Sequence, residues 1–171
     1  MSDDEERKDE PAELPSRRIE GREDFRQLVR DAFAAAAREG WREIILSDAD
    51  FADWPLGERA VAESLQAWSR SGRRCTLLAR NWDAVLRDHA RFVAWRKTWG
   101  HIIEARVCPS ADVLELPSAI WSPHWALQRL DPERCRGWCG TDAEHRLLLR
   151  EALNEWLQKS GPGFAASTLG L

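Results

Sequence analysis

The chain reads as an α/β domain: a layered, mixed β-sheet flanked by helices. Three features predict it. Helical stripes of apolar residues alternate with short, β-branched runs across residues 23–108, the order that builds a layered α/β core. After Pro109 the alternation gives way to short strand-like pieces that succeed one another between prolines, as in hairpin pairing, before a last helix. A length of 171 residues with 43% hydrophobic content supplies one sizeable core.

The elements follow in order. Phe25, Leu28, Val29, Ala32, Phe33 and Ala36 form one apolar stripe, so a helix is expected from Glu23 to Glu39, stopped by Gly40. Residues 41–47 read as a buried strand, and Asp48 to Pro55 as a loop. A second helix covers 57–71, with Val61, Leu65 and Trp68 inward. A second strand covers 74–79, one helix 82–99, and a third strand 101–108. Residues 113–116, 118–121, 125–130 and 136–139 read as short strands. The sheet is therefore expected to be parallel first and antiparallel later. A last helix spans 142–158, capped by Thr141 or Asp142.

Residues 1–20 are expected to be a disordered acidic tail, 21–162 a single domain, and 163–171 a C-terminal tail. The first 20 residues carry eight acids and four bases, which leaves 21 of each in the rest of the chain. A formally neutral body lacks the basic excess that steers nucleic acid, so nucleic acid is not the expected partner. No run of about 18 apolar residues is present, so no membrane span is expected. The acidic, polar start is not a secretory signal, and a cytoplasmic location with reduced Cys75, Cys108, Cys135 and Cys139 is expected. There is no internal repeat, P-loop or dinucleotide glycine fingerprint, and no cofactor is expected.

Pro123-His124-Trp125-Ala126-Leu127-Gln128-Arg129-Leu130-Asp131, followed by Gly140-Thr141, is the most informative stretch. It resembles the signature of the phospholipase D superfamily: His-x-Lys, four residues, Asp, then a strand ending in Gly-Ser-x-Asn before a helix. His124 and Asp131 stand at the family's spacing. Gly140-Thr141 stands two residues late for Gly-Ser. The resemblance spans residues 22–160 and implies one half of that fold. It implies that His124 would attack phosphorus while a second His, from another half or subunit, protonates the leaving group.

The family's Lys and Asn, which hold phosphate oxygens, are replaced here by Ala126 and Ala143. Phosphoryl transfer depends on positioning and charge neutralisation, and one lost donor costs about 10²–10³ in rate. The expected function is thus a non-catalytic phospholipase D-like domain acting by binding or self-association, with His124, Asp131 and Thr141 as a vestigial site. An unidentified, phosphate-containing ligand and a homodimer are the partners this implies. Two alternatives stand beside it. One is a phosphodiesterase using His124 at a homodimer interface. The other is a zinc module built on Cys135, Cys139 and His145, with Cys108 as a further ligand.

The remaining polar candidates read structurally. His89 lies on an apolar stripe and is expected to be a satisfied core histidine. Asp48, Asp50 and Asp53 are spaced as in a cation loop but lack its Gly and Glu, so a turn held by Asx bonds is expected. The ten tryptophans imply a Trp-rich core, with Trp95 and Trp99, and Trp121 and Trp125, as candidate interface anchors.

Overall fold

The computed structural model describes residues 13–166. Helix α1 (Arg22–Glu39) buries the predicted stripe, and Gly40 ends it at φ 66°, donating its N–H to Ala36. Strands β2 (Glu43–Ser47), β3 (Arg74–Ala79) and β4 (Ile103–Val107) pair in parallel. Helix α2 (Arg59–Ser69) crosses between β2 and β3. The apolar run 82–99 is not one helix. It divides into α3 (Asp83–Asp88) and α4 (Ala90–Thr98) at His89, whose backbone turns to φ −119°, ψ 59°. There the ring Nε2 lies 2.9 Å from the Phe51 carbonyl, so one tertiary hydrogen bond accompanies the break in the helix.

The antiparallel half follows. Strands β5 (Ser118–Trp121), β6 (Ala126–Asp131) and β7 (Arg136–Gly140) pair in succession, and β5 joins β2. A Cβ on Gly137 would lie 1.9 Å from the Gln128 carbonyl oxygen, so β6 and β7 approach as closely as only glycine permits. Helix α5 (Ala143–Lys159) is capped by Asp142, as expected, and β8 (Gly161–Pro162) pairs with β4. With β1 (Arg17–Glu20) the eight strands run β1-β7-β6-β5-β2-β3-β4-β8. This is the mixed sheet flanked by helices that the sequence predicts.

Strand alternation divides the core. Ile44, Leu46, Leu77 and Leu127 pack with α1, α2 and α4. Ile45, Ala119 and Ala126 pack with Leu149 and Leu153 of α5 on the other face. Trp41, Trp54, Trp68, Trp82, Trp95 and Trp125 are buried. Indole N–H groups find partners in the Trp41 carbonyl (from Trp68), Ser69 Oγ (from Trp95) and the Pro15 carbonyl (from Trp125).

Several expectations need correction. Residues 17–20, assigned to the tail, form β1 and bury Ile19 against the core; pairing with β7 more than 110 residues away orders them. Residues 1–12 of that tail lie outside the described residues. Residues 113–116 are a turn, in which Asp112 accepts from Leu114 N–H, rather than a strand. Trp95 and Trp125 are core residues, and Trp99 and Trp121 spend their N–H groups on Gln66 and the Arg146 carbonyl, so none is a free surface anchor. In the segment assigned to a C-terminal tail, Phe164 docks on Trp82 with ring centroids 4.9 Å apart; residues 167–171 lie outside the described residues. Among the described residues no helix is long and apolar enough to cross a membrane.

Candidate functional site: the His124 cleft and the Arg129 bridge

Ser122 shapes the turn that presents His124. Its hydroxyl accepts the N–H groups of His124 (3.2 Å) and Trp125 (2.9 Å) and donates to the Trp125 carbonyl (2.7 Å). Arg146 of α5 pins the same loop, donating to the Pro123 carbonyl and, at 3.3 Å, to the Thr141 carbonyl. His124 is exposed, and its ring faces Trp41 at 6.1 Å between centroids. His124 and Thr141 share one cleft of about 210 Å³ with Arg38, Trp41, Glu13 and Glu39. Glu39 is engaged there, accepting the Trp41 indole N–H at 3.0 Å.

Asp131 is not part of this cleft. It ends β6, six residues along a strand of about 17–20 Å. There it accepts the Arg134 N–H at 3.2 Å and closes a turn. The position of the family lysine, Ala126, has no exposed surface and lies beneath Leu149 and Leu153. Ala143 opens α5 and offers no donor beyond its backbone. The cleft therefore gathers an imidazole, a hydroxyl and a guanidinium beside the carboxylates of Glu13 and Glu39. The imidazole, hydroxyl and guanidinium offer donors to an anion, against the charge of the two carboxylates; no carboxylate is hydrogen-bonded to the imidazole ring among the described residues.

The candidate zinc ligands have other partners. Cys135 Sγ accepts from Arg129, Cys139 Sγ faces the Pro15 carbonyl, and His145 stacks on Trp138 at 4.6 Å. Cys108 packs in a separate apolar cluster with Leu78 and Leu116. Among the described residues no three His, Cys, Asp or Glu side chains stand together as a metal set.

A second polar centre lies at the opposite end of β6, where the strand's core-facing parity gives Trp125, Leu127 and then Arg129. The Asp48 carboxylate makes the expected Asx turn, accepting from Asp50 N (3.2 Å) and Phe51 N (2.8 Å). It also receives Arg129, whose five N–H donors all find acceptors: Ser118 Oγ, Asp48, both Asp53 oxygens and Cys135 Sγ. The guanidinium stacks 4.0 Å above the Phe25 ring. Burial opposes its charge, but hydrogen bonding to Asp53 and the two carboxylate charges hold it protonated more firmly than usual. The centre is fully satisfied and has the character of a structural clamp. Sequence reasoning missed Arg129, Arg38 and Trp41. A charged residue at core parity in β6, opposite an unpartnered Asp-rich loop, was the available signal.

The fold defines a class: a mixed-sheet α/β domain with its eight strands left open rather than closed into a barrel. The sequence matches no protein-family model and no curated protein. Among solved structures the chain is similar to TrmBL2, an archaeal chromatin protein whose structure shows a novel mode of DNA binding, with a TM-score of 0.65 and 15% identity. The match covers 91% of this chain and 56% of that one, so this chain spans little more than half of TrmBL2. Similarity at that identity establishes a shared fold.

Proposed function

We propose that this chain is a non-catalytic binding domain that takes a phosphate-bearing ligand in the His124 cleft without turning it over. The observation that carries this reading is the pairing of a shared cleft with a buried alanine. His124, Thr141 and Arg38 line one recess, while Ala126, where the phospholipase D signature has its lysine, is packed under α5. Without that cation and without a donor at Ala143, the developing charge of a phosphoryl transition state has little to meet it. A ground-state phosphate asks for less, and the Arg38 fork with an imidazole and a hydroxyl offers it donors that must outweigh Glu13 and Glu39 in the same cleft.

The cleft is smaller than the roughly 300–1,000 Å³ of sites that enclose a whole drug-sized molecule, so it suits a phosphate headgroup with the remainder outside. TrmBL2 binds DNA, and phosphate is the chemistry common to that ligand and this cleft. Four buried, unbridged cysteines support the cytoplasmic placement.

The test is a titration of the protein with inorganic phosphate, followed by the resonances of His124 and the Trp41 indole. Saturable shifts that are weakened at least fivefold by Arg38→Ala support the reading. Shifts absent at 50 mM phosphate, or unchanged by that substitution, refute it.

A further inference from the structure

Charge is segregated along the parallel strands although it balances overall. Residues 1–12 hold six acids and two bases, and the rest of the chain carries 23 of each. The segments leaving the carboxyl ends of β2, β3 and β4 contain Asp48, Asp50, Asp53, Glu58, Asp83, Asp88, Asp112 and Glu115 against Arg80 and Arg87. The segments entering their amino ends contain Arg38, Arg42, Arg70, Arg73, Arg74 and Lys97, all exposed.

Backbone hydrogen bonds lay these entering segments side by side. Arg73 and Arg74 N–H groups donate to the Arg42 carbonyl, and Cys75 N–H donates to the Ile102 carbonyl. Among the described residues only Arg74 of the six has an ion pair, with Glu104 at 3.4 Å. Of the nearby carboxylates, Glu43 is paired with Arg150 at 2.8 Å, while Glu39 accepts only the neutral Trp41 indole N–H and keeps its charge beside Arg38. The carboxyl ends of α1, α2 and α4 point to the same edge, but each offsets only about half a charge. An excess of cations remains, six against Glu39 and Glu104.

We propose that this amino-terminal edge, with Arg42 and Arg73 at its centre, binds the phosphate backbone of a nucleic acid without reading sequence. The row adjoins the His124 cleft through Arg38, yet Arg42 and Arg73 lie outside that cleft, so either site can fail without the other. Arg42 and Arg73, on hydrogen-bonded backbone and without carboxylate partners among the described residues, suit repeated phosphates, and binding through such guanidinium forks releases counterions. The local field lets a formally neutral body bind a polyanion.

The experiment is fluorescence anisotropy of a labelled 20-base-pair duplex of arbitrary sequence with the full chain, from 50 to 200 mM salt. Binding is expected at 50 mM, with a log–log salt slope of about −3 to −4 for some four phosphate contacts. Arg42→Glu/Arg73→Glu is expected to weaken binding at least tenfold, while Arg59→Glu at the far end of α2 changes it less than twofold. Arg73→Gln, with a melting curve matching the parent, repeats the test with a threefold loss.

Absence of binding at 50 mM salt, or equal binding by the double variant, overturns the proposal. So does equal or tighter binding to vesicles of anionic lipid. Binding seen only after removal of residues 1–12 would assign the edge to the chain's own acidic segment and overturn it likewise.

Discussion

The guanidinium of Arg129 bridges Asp48 and Asp53, reaching Asp48 Oδ1 and Asp53 Oδ1 at 3.1 Å each from a side chain only 2% exposed. This bridge fastens the antiparallel half of the sheet to the loop that leaves β2. It also occupies the carboxyl end of the parallel strands, where open α/β sheets commonly receive ligands. Arg129→Met should therefore cost about 3–5 kcal/mol, because it strands buried carboxylate charge. Urea denaturation measures the loss. Adding Asp48→Asn and Asp53→Asn to the same chain should recover part of it, since the stranded charges then disappear. Arg129→Lys should not restore the parent, because one ammonium cannot serve five acceptors.

The edge of β1 is closed by a local device. Asp24 accepts both Arg17 guanidinium nitrogens, at 2.8 and 2.9 Å, and the Glu20 backbone N–H at 2.9 Å, while Arg17 also donates to the Arg18 carbonyl. Two backbone groups of this edge strand are thus already spoken for. Asp24→Ala should free them and promote edge-to-edge association, seen as a concentration-dependent rise in mass by light scattering. A variant that stays at the parent's mass up to millimolar concentration would show that the device is dispensable.

How much of this was legible in the sequence depends on the range of the interactions involved. The parallel strands and α1 announced themselves because their apolar periodicity is local and strong. Strand β1 did not: three of its four residues are charged, and its single buried side chain, Ile19, gains meaning only from β7, far along the chain. The division at His89 was hidden for a similar reason, since the bond to the Phe51 carbonyl comes from another element. The site was half legible. His124 and Thr141 share a cleft as the motif suggests, but Asp131 serves a turn, and Arg38 and Trp41 arrive from α1 and the following loop without any local signal.

Acid should weaken the fold through Glu58. Hydrogen bonding to Arg30, at 2.7 Å, holds this carboxyl below its usual range despite some desolvation. A folded pKa below the unfolded value means that the stabilisation is complete well above about pH 4.3 and is lost as the pH falls through the folded value. Denaturation at pH 7, 5, 4 and 3 checks this. Glu58→Gln should be the less stable protein at pH 7, with the gap to the parent closing toward pH 3.

The thiols should be inert in the native state. Burial pushes the Cys75 thiol far above its usual range and raises Cys139 as well, and all four cysteines are buried. A chromogenic disulfide reagent at pH 8 should label none of them within minutes and all four in denaturant. Rapid labelling of the native protein that added zinc suppresses would instead revive the metal reading of Cys135, Cys139 and His145.

The most direct test of binding without turnover is a ³¹P spectrum of a simple phosphodiester held for days with an equimolar amount of protein. The diester resonance should shift and broaden through exchange with the His124 cleft, and no monoester resonance should grow. A monoester signal that His124→Ala abolishes, or a diester line as sharp and unshifted as in buffer, would contradict the proposal.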